Sequence, residues 1–165
     1  MSFVKKSEII NHSNKDYNIA VLDGIQNIMP QGVSSDLQSS TSNLVDAYKR
    51  NELHQESGLG IYALSAIIVD KAEPSEALKA NVVWSLGMKN PTYLLSSKQL
   101  PAFRKLQKIK GETDVKGEKG AYFVSNDLYL PQNASKDWKI IANVNQDQSQ
   151  VIQLCDSIVY DKTLD

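Results

Sequence analysis

Alternation of apolar and polar positions, more than helical spacing, organises this chain. Tyr17, Ile19, Val21 and Ile25 alternate with Asn18, Ala20 and Leu22, the period of two expected of a strand buried mainly on one face. Residues 3–10 have a similar character, and the polar run NHSNKD separates them from residues 17–28. Two strands around a polar turn are therefore predicted. Asp23-Gly24, inside the second run, is a strong signal for a two-residue hairpin turn. A turn there would leave short arms and waste the apolar run from Ile25 to Met29, so we read one long strand, bent or bulged at Gly24. Pro30 and Gly32 end it.

From Ser34 the spacing turns helical: Leu37, Thr41, Leu44, Val45 and Tyr48 recur on one face, with Ser35 or Asp36 placed to cap. LGIYALSAIIVD and ALKANVVWSLGM carry β-branched and aromatic residues on both faces. Joined by KAEPSE, whose proline stops the first strand, they predict an antiparallel pair near the centre of a sheet. After Pro91 the pattern is less regular, with a short helix around residues 97–107 and a mobile loop rich in glycine and lysine. GAYFVSNDLYL and DWKIIANVNQ flank PQNASK and predict a second antiparallel hairpin. In DQSQVIQLCDSIVYD, residues Val151, Leu154, Cys155, Ile158 and Val159 form a helical stripe, capped by Asp147 or Ser149. ELHQE is read as a turn. The expected fold is mainly β: an antiparallel β-sandwich with a few short helices, one domain over residues 1–165. Its strand-like start and abrupt YDKTLD end suggest a segment of a longer multidomain protein.

Composition narrows the functional classes. The chain of 165 residues is 41% apolar and 22% charged with a net charge of −1, so nothing draws it to nucleic acid or anionic lipid. No stretch approaches the roughly 18 apolar residues of a membrane helix. The N-terminus lacks the apolar core of a signal peptide. A single cysteine, Cys155, excludes an internal disulfide and a cysteine-based zinc site. It fits a reducing compartment, and the cytoplasm is the expectation.

Candidate chemistry is sparse. Glu52, His54 and Glu56 alternate, but a metal would need further ligands, and His12 stands apart. GETDVKGEKG misses the phosphate-loop spacing, and there is no Gly-x-Ser-x-Gly elbow. Asp23, Asp46, Asp70, Glu73 and Glu76 lie near strand ends and turns, where acids are common for structural reasons; no catalytic residue, metal or cofactor is assigned. Trp84, Tyr93, Tyr122, Phe123, Tyr129 and Trp138 alternate mostly within strands, as core residues do, and Trp138 beside a polar turn is expected to be half exposed. Sequons begin at Asn11 and Asn133. Asp23, Gln26, Asn27 and Trp138 are the candidates for contact with a carbohydrate or partner domain.

The order of elements also carries a resemblance. KSEIINHSNKDYNIAVLDG looks like paired strands joined by a polar turn. The run NLVDAYKRNELHQESGLGIYALSAIIVDKAEPSEALKANVVWSLG and the later DLYLPQNASKDWKIIANVNQDQSQVIQL are similar to parts of the N-terminal β-sandwich of cellobiose phosphorylase-like proteins. The resemblance covers most of the chain, through structural rather than catalytic motifs. It implies a sandwich that supports a catalytic (α/α)6 barrel, edges its cleft and helps to form a homodimer, while the barrel holds the acid and the phosphate or water site. This sequence has no barrel, so no catalytic residue carries over. It is also shorter than the family's sandwich, so either strands are missing, in which case exposed sheet edges would invite pairing with another copy, or the domain is reduced. Two readings follow: a noncatalytic scaffold of a carbohydrate-active enzyme, a glycoside phosphorylase or hydrolase, or a free-standing carbohydrate-binding module. A small enzyme of unrecognised type is a third.

Overall fold

The computed structural model describes residues 2–40, 42–64 and 79–164. In chain order these form β1 (Ser2–Ile10), β2 (Tyr17–Ile28), α1 (Ser35–Ser40), α2 (Ser42–Ala47), β3 (Lys49–His54), β4 (Leu59–Leu64), β5 (Lys79–Leu86), β6 (Thr92–Leu94), α3 (Leu100–Arg104), β7 (Asp114–Lys116), β8 (Gly120–Leu130), β9 (Ser135–Asp147) and α4 (Gln148–Leu164). Every described strand pairing is antiparallel. A six-stranded sheet runs β1-β9-β5-β4-β3-β7, and a three-stranded sheet runs β2-β8-β6. The link KAEPSE, with Asp70, Glu73 and Glu76, lies outside the described residues.

Alternation decides how the layers stack. Val83, Ile140 and Tyr62 of the larger sheet meet Tyr122 and Val124 of the smaller one, with Leu95 beside them, in a closed inter-sheet core. The opposite face of the larger sheet carries Leu59, Val82 and Trp84 against Cys155 and Ile158 of α4. Strands β4 and β5 are thus apolar on both faces because both are covered. Phe123, Ala121 and Leu94 face away from the core and are covered by Leu100 and Ile109 of the 95–112 segment. Two buried tyrosines bond across the sandwich: the Tyr62 hydroxyl donates to the Ala121 carbonyl at 2.7 Å, and the Tyr122 hydroxyl donates to the Gly58 carbonyl at 2.7 Å. Burial pushes both phenols well above their ordinary pKa, so they remain neutral donors.

The sandwich with few short helices is present, as are β1, β2, the β4–β5 pair, β8, β9 and the last helix, which is 17 residues long. Asp147 caps it. Its carboxylate accepts the Gln150 N–H at 2.9 Å while the Gln150 side chain accepts the Asp147 N–H at 2.9 Å, a reciprocal capping arrangement. The α1 cap is Ser34, one residue before the expected position, whose hydroxyl accepts the Leu37 N–H.

Three expectations need correction. The two predicted hairpins do not pair internally: β1 pairs with β9, and β2 with β8, so both polar links cross from one sheet to the other. The side chain of buried Asn11 stitches these crossings together, donating to the carbonyls of Lys15 at 2.7 Å and Pro131 at 2.9 Å. ELHQE is no turn throughout, since its first three residues end strand β3. The run after Pro91 holds strands β6 and β7 as well as α3.

Residues 17–28 form one uninterrupted strand with no turn at Asp23-Gly24, but the bulge falls at Asn27, where the register with β8 shifts between Gln26 and Ile28. Asn27 has a φ of 57°, a left-handed conformation that asparagine tolerates. Gly24 serves another purpose. It pairs directly with Phe123, and a Cβ there would collide with the Tyr122 carbonyl oxygen and the Phe123 ring.

Candidate functional site

The structure sorts the four sequence candidates into two places. Asp23 and Trp138 meet inside the sandwich; Gln26 and Asn27 lie at the rim of a separate surface cleft.

Asp23 points from β2 toward the larger sheet. Its carboxylate accepts the Ser7 hydroxyl at 2.7 Å, the Trp138 indole N–H at 2.8 Å and the Gly24 backbone N–H at 2.8 Å. The Lys5 ammonium completes the set. Lys5 and Ser7 sit at alternate positions of β1, and Ser7 lies opposite Trp138 of β9, so three strands present their donors to one carboxylate. Burial alone would raise the Asp23 pKa. The bonds from Lys5, Ser7 and Trp138 outweigh it and hold the carboxyl below its ordinary value. The arrangement fastens the sheets together and leaves no lone pair directed at a ligand. Trp138 is only 6% exposed, not half exposed as expected, because its ring fills the inter-sheet space while its N–H reaches Asp23. Sequence reasoning missed Lys5 and Ser7; their signal was two polar residues on the same strand face as Ile9.

Gln26 donates to the Ser97 hydroxyl at 3.1 Å. With Asn27, Asp46, Lys98 and Glu118 it lines a cleft of about 440 Å³. The charges here are paired: Lys98 with Glu118 at 2.7 Å, and Asp46 with the buried Lys49 at 2.7 Å.

A larger cleft, about 840 Å³, was not foreseen. It lies between the end of β3, the 85–93 segment and residues 111–113. Leu53, Met88, Pro91 and Tyr93 give it an apolar floor, and Gln55, Glu56, Asn90 and Thr113 supply polar groups. Glu112, on its wall, accepts the N–H groups of Leu95 and Ser96 at 2.8 Å each and the Gln99 amide at 2.8 Å. Gln99 in turn donates to the Lys110 carbonyl and accepts its N–H, both at 2.8 Å. Residues 95–112 are thus clasped at both ends.

Other candidates resolve into structural roles. The Trp84 ring packs under α4, and the Tyr129 hydroxyl donates to Asp16 at 2.6 Å. His54 closes the β3–β4 turn through the Ser57 hydroxyl at 2.9 Å. Among the described residues no group of three His, Cys, Asp or Glu side chains forms a metal-sized cluster, and no helix is long and apolar enough to cross a membrane. No family model matches the chain, and no curated protein matches it.

Proposed function

We propose that this chain is a noncatalytic β-sandwich domain, the scaffold and interface for the (α/α)6 barrel of a glycoside phosphorylase or hydrolase related to the cellobiose phosphorylases. The observation that carries the noncatalytic part is the saturation of Asp23 by four donors. A general acid needs a carboxyl facing substrate, with a proton to give; Asp23 faces its own sheets and is held ionised. The assignment to carbohydrate-active enzymes rests on the sequence resemblance. The test is an assay of the purified chain with cellobiose and other disaccharides, with and without inorganic phosphate, beside a search of the flanking coding sequence for a helical barrel. No turnover and several hundred helix-rich residues are expected. Turnover that survives purification and vanishes in Asp23→Asn would overturn the noncatalytic role, and flanking sequence without helical repeats would overturn the scaffold role.

The larger cleft favours a second reading, a carbohydrate-binding module. Its half-apolar floor under Tyr93, ringed by amides and hydroxyls, has the mixed character of a site for a polyhydroxylated ligand. Neither tryptophan can stack on that ligand, since both are buried. Titration with cellobiose followed by amide chemical shifts decides between the two: shifts confined to Gln55, Asn90 and Tyr93 support a module, and an unchanged spectrum supports the scaffold.

A further inference from the structure

Strand β1 is an edge of the six-stranded sheet, and its free side has a defined hydrogen-bonding register. Asn11 donates its backbone N–H to Ala134 at 2.9 Å, continuing the ladder in which Ile10 faces Ser135. In an antiparallel ladder alternate residues bond the same neighbour. Phe3, Lys5, Ser7 and Ile9 therefore turn their peptide groups toward β9, and Val4, Lys6, Glu8 and Ile10 turn theirs outward. The same four residues share the sheet face that holds Ile141, and their side chains are exposed, Val4 by 49% and Ile10 by 47%.

We infer that the partner of this edge is the β1 strand of a second copy, paired antiparallel about a two-fold axis at Ser7. That register sets Val4 opposite Ile10 and Lys6 opposite Glu8 of the other copy, each twice by symmetry. All four are hydrogen-bonded pairs, because all four residues present peptide groups that no strand pairs with among the described residues. Each apolar side chain meets an apolar one and each charge its opposite, the cross-strand pairing that stabilises a sheet. The neighbouring registers fail. Sliding by two residues one way sets Lys6 against Lys6 and Val4 against Glu8; sliding the other way sets Glu8 against Glu8 and Lys6 against Ile10. Lysines on an edge ordinarily repel an incoming strand, and here a glutamate two positions along turns that guard into a register key. The result is a closed, isologous dimer with one continuous sheet. This inference rests on the β1 edge alone and stands apart from the assignment to carbohydrate enzymes.

The experiment measures mass by sedimentation equilibrium for the whole chain and two exposed charge variants. Wild type is expected to dimerise with increasing concentration. Lys6→Glu and Glu8→Lys each put like charges opposite one another twice, and each should weaken the dimer at least about tenfold. Mixed in equal amounts they should form a heterodimer, since the glutamates of one then face the lysines of the other. A wild-type chain that stays monomeric to its solubility limit would overturn the proposal. So would a dimer indifferent to both variants, or variants that fold by circular dichroism yet do not associate on mixing.

Discussion

Asp23 and Glu112 are both carboxylates ringed by donors, yet they hold the molecule at different scales. The donors to Asp23 come from β1, β9 and its own strand, with Ser7 and Trp138 lying 16 and 115 residues away. Those to Glu112 come from Leu95, Ser96 and Gln99, none more than 17 residues away. One joins two sheets and the other pins a local cover over the outer face of the smaller sheet. A count of hydrogen bonds would rate them alike. Sequence separation tells them apart, because losing a long-range tie frees a whole layer, whereas losing a local one frees a segment that can open while the sandwich stays folded.

Removing the Asp23 side chain should therefore have the largest effect. Asp23→Ala leaves the Trp138 N–H and the Lys5 ammonium without their acceptor between the sheets, at a cost of about 3 kcal/mol in global stability, read from urea unfolding. Acidity sharpens the point. The folded pKa of Asp23 lies below its ordinary value, so the unfolded chain takes up the proton first as pH falls. Its contribution is complete above the unfolded carboxyl pKa of about 3.9 and is lost as pH drops through the lower folded value. The stability gap between wild type and Asp23→Asn should be wide at neutral pH and narrow steadily below about pH 4. A gap that stays constant into strong acid would mean that Asp23 is not held as an ionised acceptor.

Glu112→Ala comes next, at about 2 kcal/mol, and its signature is spatial. Amide exchange at Leu95 and Ser96 should accelerate, while Tyr122 and Val124 in the inter-sheet core keep their protection. If core amides accelerate equally, the 95–112 cover is part of the global folding unit and the contrast with Asp23 fails.

The sequence showed elements better than their partners. Alternation located β2 to the residue because Ile19, Val21 and Ile25 are partly buried on one face while Asn18 and Ala20 are exposed on the other. It was silent on whether a strand joins its chain neighbour or the facing sheet, and so both crossing links were read as hairpins. The link lengths fit either, and the deciding groups are the buried side chain of Asn11 and the cross-sheet bonds of Tyr62 and Tyr122. β3 was hidden because Lys49 and Asn51 occupy its inward positions, both almost wholly buried, where a pattern reader expects apolar residues. Gly24 drew attention as a turn signal, whereas its absent side chain makes room for β8. Asp23 and Trp138 were singled out as contact candidates for a carbohydrate or partner domain, but composition could not say that each is the other's partner.

The smallest change tests the division of labour within the Asp23 cluster. Trp138→Phe preserves most of the ring that fills the inter-sheet space and deletes one of four donors. The carboxylate keeps Lys5, Ser7 and the Gly24 N–H, so the expected loss is about 1 kcal/mol, well short of that for Asp23→Ala. Combining the two substitutions should cost less than their sum, since with the carboxylate gone the indole N–H has no acceptor and its removal relieves an unpaired donor. Strict additivity would show that Trp138 acts through packing alone, and that the tie between β2 and β9 is carried by the shape of the ring and not by its bond to Asp23.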